Sequence, residues 1–343
     1  SLNRGLVVTS IQNMDPPSSS LNKLLSLYKA GDLGGAASFC DVLLAAYPDS
    51  AQVYNVLGVI LEAQGKVEDA LTAYDKATQK KPDHLNAYHN AGVLLSTLGR
   101  FEDARDKYAK IIELEPEDGD AHNNLGVILQ RLDEHRLAVS YLQKAVVLQP
   151  RNASAFFNYA NSLRELEESD KALENYDYAI KINPSFSIAF NNRGSLLEGI
   201  NNYEGAWRSY TKAIELNPRY VAAYINRAGI GQKLGNYVQA ELDLIKAIDL
   251  DPWKQTDPSE ASNFKFRLYI SLGDTQMYLG QYKKALASYD SAIAIEPENK
   301  DVLAFKGNAL AGLGKLSEGL RLRQKSFGFI CFDVLKGVSI VRG

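Results

Sequence analysis

Eight of the eleven prolines stand in one register: Pro48, Pro82, Pro116, Pro150, Pro184, Pro218, Pro252 and Pro297. The first six intervals between them are identical and the last is longer. Proline has no amide donor to continue a helix, and its ring steers the preceding residue away from helical dihedrals. A proline at a constant interval is therefore a helix stop repeated in register. A chain so marked is a row of like units, each too small to close a core alone.

The residues between the prolines repeat as well. From Ala51 to His84, Tyr54 is followed by Leu57-Gly58 and Leu61, Gly65 stands at a turn, Ala70, Tyr74 and Ala77 follow at helical spacing, and Pro82 closes the unit. The next unit reads Tyr88, Ala91-Gly92, Leu95, Gly99, Ala104, Tyr108, Ile111 and Pro116. Apolar residues at three-and-four spacing in each half predict two amphipathic helices per unit, joined by a tight turn. Gly58, Gly92, Gly126, Gly194, Gly273 and Gly307 occupy one slot on the first helix, and Ala70, Ala104, Ala138, Ala172, Ala206, Ala240 and Ala285 one on the second. Such small residues leave room for close helix contact.

This pattern of aromatic, Leu-Gly, Tyr, Ala, Phe/Tyr, Ala and Pro, with a period of about 34 residues, resembles the tetratricopeptide repeat family. The resemblance covers about nine units, from near Pro17, Ala51, Leu85, Gly119, Ala153, Ser187, Val221, Phe266 and Lys300. It implies an all-α fold, a right-handed superhelical solenoid of helix-turn-helix units over residues 17–326. Residues 1–16 are read as an N-terminal extension and 327–343 as an apolar tail or the start of a further domain.

Composition sets limits on function. Of the 343 residues 45% are hydrophobic, enough for a continuous core, and net charge is −3 with a pI near 5.9. Proteins that neutralise phosphates are usually basic, which argues against a nucleic-acid partner. Two cysteines, Cys40 and Cys331, make no disulfide framework, and Cys40 is read as a small core residue. No apolar run reaches the roughly 18 residues of a membrane span, and Ser1–Ser10 is too weak for a secretory signal. A cytoplasmic location is expected. The chain begins with Ser rather than Met, as a piece of a longer protein would.

The pattern breaks in three places. The first unit carries Ser20 and Leu24 where an aromatic and Gly belong, as a capping repeat does. Residues 255–265, QTDPSEASNFK, are an excess before the eighth unit, read as a longer loop or an extended helix end. The ninth unit decays through Gly319 into Ser326–Gly343, where Phe327, Phe329 and Cys331, then Val338 and Ile340, alternate as in a β-hairpin with Lys336-Gly337 between. That tail is expected to pack on the last unit, to begin a further domain, or to mediate self-association. Gly5–Ile11 also has strand-like composition, before the linker DPPSSS.

Enzyme signatures are missing. Gly314-Lys315 lacks the Gly and Ser/Thr of a phosphate loop, with Ala309 and Leu316 in those places. His84, His89, His122 and His135 have no partner at zinc-ligand spacing. His122 fills an aromatic slot and reads as packing, whereas His89 is expected to face the groove. The many carboxylates read as a solvated face. No enzyme activity, cofactor or metal is expected.

One constellation remains. The sixth residue of successive units is Asn22, Val56, Asn90, Asn124, Asn158, Asn192, Asn226, Ser271 and Phe305. Five consecutive asparagines lie on first helices, which in the family line the concave groove. An amide offers both donor and acceptor, so it can pair with the main chain of an extended peptide whatever its sequence. The run Asn90, Asn124, Asn158, Asn192 and Asn226 is similar to the peptide-gripping asparagines of O-GlcNAc transferase and its bacterial relatives; Val56, Ser271 and Phe305 depart from it. His89, Asn123, Thr97, Arg131, Asn161, Glu165, Ser195 and Lys233 are further groove candidates, mixed in charge. A carboxylate clamp for chaperone C-termini would need Lys and Arg where Asn55, His89 and Asn123 stand. The expectation is a non-catalytic scaffold for a protein or extended peptide. The alternative is the substrate-recruiting arm of a larger enzyme such as an O-GlcNAc transferase-like glycosyltransferase.

Overall fold

In the computed structural model, residues 15–250, 257–327, 329–333 and 337–341 are described. Gly5–Ile11, Pro252 and Trp253 lie outside them, as do the side chains of the C-terminal tail. The chain divides into two compact units, residues 1–175 and 176–343.

The first unit contains α1 (Ser18–Lys29), α2 (Leu33–Ala46), α3 (Ala51–Ala63), α4 (Val67–Lys80), α5 (Leu85–Thr97), α6 (Phe101–Leu114), α7 (Gly119–Arg131), α8 (His135–Leu148) and α9 (Ala153–Glu165). The boundary falls within α10 (Ser169–Ile182). The second unit continues with α11 (Ser187–Gly199), α12 (Tyr203–Leu216), α13 (Val221–Lys233), α14 (Tyr237–Asp249), α15 (Pro258–Tyr278), α16 (Tyr282–Ile295), α17 (Lys300–Gly312) and α18 (Leu316–Phe327). Helices α1 to α9 pack in sequence order, each against the next, and so do α11 to α18.

The register prolines do what their chemistry requires. Pro48, Pro82, Pro116, Pro150 and Pro218 each stand two residues past the last helical residue, and the cap between is extended, as at Lys81 (φ −137°, ψ 94°) and Asn217 (φ −135°, ψ 91°). Ser50, Asp118, Asn152 and Asn299 then cap the following first helices with side-chain oxygens. Within a unit the turn needs one left-handed residue. Glycine supplies it at Gly31, Gly65, Gly99, Gly235, Gly280 and Gly314, with φ between +69° and +80°. Asp133, Glu167 and Asn201 adopt it instead in the intervening units, at φ +61° to +62°.

At Gly58, Gly92, Gly194 and Gly273 the small first-helix residue makes room for a tyrosine ring; at Gly126 it faces Leu142, and at Gly307 the Gly319 backbone oxygen. A Cβ on Gly58 would lie 2.4 Å from Tyr74 Cε1, on Gly194 2.6 Å from Tyr210, and on Gly273 2.5 Å from Tyr289. Those tyrosines are fully buried. Each hydroxyl donates to a carboxylate on the first helix: Tyr74 to Glu62 (2.9 Å), Tyr210 to Glu198 (3.1 Å) and Tyr289 to Asp274 (2.7 Å). Cys40 is wholly buried in the cluster of α1, α2 and α3, and burial pushes its thiol up to about 12.

One alternative of the sequence reading is selected and two details differ. Of residues 255–265, those from Pro258 onward are helix: α15 is 21 residues long, capped by Asp257 accepting from the Ser259 amide. Asp243 and Glu241 are buried at 1% and 6% exposure rather than solvated. Asp243 takes both prongs of the Arg227 guanidinium at 2.7 and 2.8 Å; Glu241 accepts from Gln276, Gln281 and Lys284. The tail forms a hairpin of β1 (Phe329–Asp333) and β2 (Gly337–Val341), Phe329 opposite Val341, so Gly337 opens the second strand instead of forming the turn.

Candidate functional site

Each hairpin packs its first helix against its second, and first helices of neighbouring hairpins also touch: α3 with α5 and α7 with α9 in the first unit, α11 with α13 and α15 with α17 in the second. First helices that touch in this way line one side of each unit, and the asparagines stand on them.

In the first unit, Asn90 on α5, Asn124 on α7 and Asn158 on α9 are all half-buried, not projecting into solvent as a free ladder would. Two of them are tied to the preceding hairpin. Asn90 Nδ2 donates to Asn55 Oδ1 and Asn158 Nδ2 donates to Asn123 Oδ1, both at 3.0 Å. The physical reason is lateral: where first helices touch, an amide at the sixth position reaches one at the fifth position of the unit before. For Asn124 that fifth-position residue is His89, and Asn124 has no side-chain partner among the described residues. Each tie uses one N–H and one oxygen, leaving the rest of both amides for a ligand.

The surroundings of these rungs are mixed. His89, half-buried, meets Tyr108 edge-on at 6.1 Å and helps line a cavity of about 500 Å³ with Tyr28, Val59, Glu62, Asn90 and Val93. Asn161 is half-buried, while Thr97, Arg131 and Glu165 are exposed. Thr97 donates back to the Val93 carbonyl, Arg131 lies over the Phe101 ring, and Glu165 pairs with Arg164. His122 is buried, bonded through Nε2 to the Pro116 carbonyl and tilted against Tyr141.

In the second unit the tie recurs: Asn226 Nδ2 donates to Asn191 Oδ1 at 3.0 Å, and Asn191 Nδ2 donates to Asn192 Oδ1 at 3.4 Å. Ser195 is exposed, and Lys233 pairs with Glu198 at 2.8 Å against the Tyr203 ring. A pocket of about 620 Å³ opens beside Lys233, lined by Gly229, Gln232, Tyr237, Arg267, Ile270, Ser271, Asp274 and Tyr278.

Sequence reasoning gave Asn55 and Asn191 no role, although Asn55, Asn123 and Asn191 recur at one position in every second unit. That two-unit spacing was the available signal for the ties. Among the described residues no three His, Cys, Asp or Glu side chains gather as a metal ion would need, and no helix is long and apolar enough to cross a membrane.

Family models described as tetratricopeptide repeat match residues 49–117, then 89–153, 128–187 and 191–253, then 266–299. A tetratricopeptide repeat protein from Parabacteroides merdae superposes with TM-score 0.56 at 19% identity, over 76% of this chain and 98% of its own. The pilF protein of Pseudomonas aeruginosa superposes with TM-score 0.52 at 18% identity, over 63% and 96%. YrrB, a TPR protein with an unusual peptide-binding site, is 28% identical over 54% of this chain and 95% of its own, with TM-score 0.48. No curated protein sequence matches the chain.

Proposed function

Because the chain belongs to the tetratricopeptide repeat family, we propose that it is a non-catalytic scaffold holding an extended segment of a protein partner along its first-helix wall. The observation that carries this reading is Asn124, a half-buried amide with no partner among the described residues, flanked by the tied amides of Asn90 and Asn158. The polar atoms of Asn124 stay open to water and unspent on the protein, so both its donor and its acceptor are free for a ligand's main chain. Neighbouring first helices lie roughly 10 Å apart and an extended strand advances about 3.3 Å per residue, so a rung meets about every third residue of the ligand. Each amide contact contributes about 1 kcal/mol net, so side-chain pockets must supply selectivity.

Asn124→Ala is the informative variant, because removing Asn90 or Asn158 would also orphan Asn55 or Asn123. Random dodecapeptides displayed on phage are selected against the full chain, and the affinity of recovered peptides is measured by fluorescence anisotropy. Asn124→Ala should weaken them about five- to tenfold with an unchanged circular dichroism melt. Recovered peptides indifferent to Asn124→Ala would place the binding surface elsewhere.

A further inference from the structure

The pocket of about 620 Å³ in the second unit does not belong to the asparagine rungs. One of its lining residues sets it apart from the cavity beside His89, which Val59 and Val93 line. At the ninth position of their units, other first helices carry Val59, Val93, Val127, Asn161 and Ser195, whereas α13 carries Gly229. A Cβ built there meets nothing within 4 Å. Gly229 thus leaves the α13 side open in a recess bounded by α13, the start of α14 and the long helix α15.

The polar groups around this recess are unevenly used. Gln232 Nε2 donates to Thr275 Oγ1 (2.7 Å) and Ser271 Oγ (3.1 Å), so its N–H groups are spent and its carbonyl oxygen is not. Asp274 accepts one hydrogen bond, from the Tyr289 hydroxyl at 2.7 Å, and has no cation within ion-pair distance among the described residues. Burial raises its carboxyl above the usual carboxylate range against the pull of that hydroxyl, and no nearby positive charge brings it down. Lys233 also lines the recess, with its ammonium paired to Glu198 and set over the Tyr203 ring. Arg267 is exposed at the mouth, two helical turns from Asp274 on the same helix. Beside the carboxylate, Tyr237 and Tyr278 stack at 4.7 Å with planes 6° apart, and Tyr278 is 72% exposed. The recess thus presents an unpaired carboxylate, an unspent amide oxygen and an open aromatic face.

These are the partners of a cation. A guanidinium stacks flat on a tyrosine ring while donating to a carboxylate in its plane, and an ammonium satisfies the same set less completely. We propose that the Gly229 recess takes a basic side chain, arginine before lysine, from an extended segment held along the second unit. The inference rests on the scaffold reading above and adds a selectivity element to it. The net charge of −3 favours the approach of such a segment.

The test uses the full chain and the same phage-displayed random dodecapeptides, with three variants that act on the recess. Gly229→Val puts the side chain found in other units into the recess, at a position where a Cβ meets nothing within 4 Å. Asp274→Asn keeps an oxygen for Tyr289 but removes the charge. Arg267→Ala removes the competing cation. Recovered peptides should share an Arg or Lys, and Gly229→Val and Asp274→Asn should each weaken them about tenfold or more. Arg267→Ala should leave affinity equal or tighter. Peptides that instead share Asp or Glu and are lost with Arg267→Ala overturn the proposal. Peptides lost with Asn124→Ala but indifferent to Gly229→Val and Asp274→Asn overturn it and leave the scaffold reading standing. A library that yields no binder overturns both.

Discussion

One substitution, Gly→Ala, should have opposite effects at two positions on first helices. In a helix interior, alanine is worth about 0.5–1 kcal/mol over glycine, because glycine gives up more backbone freedom on folding. At Gly229 the new methyl enters open space, so the full gain of about 0.5–1 kcal/mol should appear. At Gly58 the methyl would sit 2.4 Å from Tyr74 Cε1 and 2.6 Å from Cδ1. The ring must retreat by about 1 Å to reach ordinary contact, and Tyr74 is fully buried with its hydroxyl bound to Glu62. Overpacking of this kind costs about 1–3 kcal/mol. After the propensity gain, Gly58→Ala should be destabilising by about 1–2 kcal/mol. Because hairpins couple mainly to their neighbours, hydrogen exchange read peptide by peptide is the suitable assay, with urea melts beside it. Protection should fall in α3 and α4 for Gly58→Ala, and rise in α13 and α14 for Gly229→Ala. A Gly58→Ala chain as stable as the parent would refute the claim that the glycine slot exists to receive the ring.

Three further outcomes follow from the packing. Glu167→Gly relieves a left-handed residue that its sister turns assign to glycine, and should stabilise the first unit by up to about 1 kcal/mol in the same melts. Arg227→Ala strands Asp243, 1% exposed, without its counter-charge, and should cost the second unit about 3–5 kcal/mol; loss below about 1 kcal/mol would mean water reaches the site. Cys40, buried and with its thiol pushed up to about 12, should resist iodoacetamide at pH 8 in the native chain and react on unfolding, as peptide mass mapping would record.

Much of the fold is legible in residue spacing because it depends on chain-local chemistry. Pro82 stops α4 through its ring, Ser50 starts α3 through its side-chain oxygen and Gly65 turns the chain between through its free backbone. What the sequence conceals depends on distances between hairpins. Asn90 reads as a groove amide, yet it meets Asn55 because α3 and α5 touch. Asp243 reads as a surface carboxylate on a second helix until Arg227, sixteen residues earlier, is seen to reach it. The polar run 255–265 reads equally as loop or helix; Asp257-Pro258, an N-cap followed by proline in the first turn, is the signal that favours helix. Gly229 reads as a weak point in α13, and only the open space beside it shows a recess.

The central claim is that the first-helix wall holds a ligand by its main chain, and a backbone scan tests it most directly. A peptide recovered against the full chain and weakened by Asn124→Ala is resynthesised with a single N-methyl amide at each position in turn. The account predicts losses of about five- to tenfold at positions roughly three residues apart, with one of them abolished in the Asn124→Ala chain because its rung is gone. Tolerance of N-methylation at every position, with sensitivity only to side-chain changes, would contradict it.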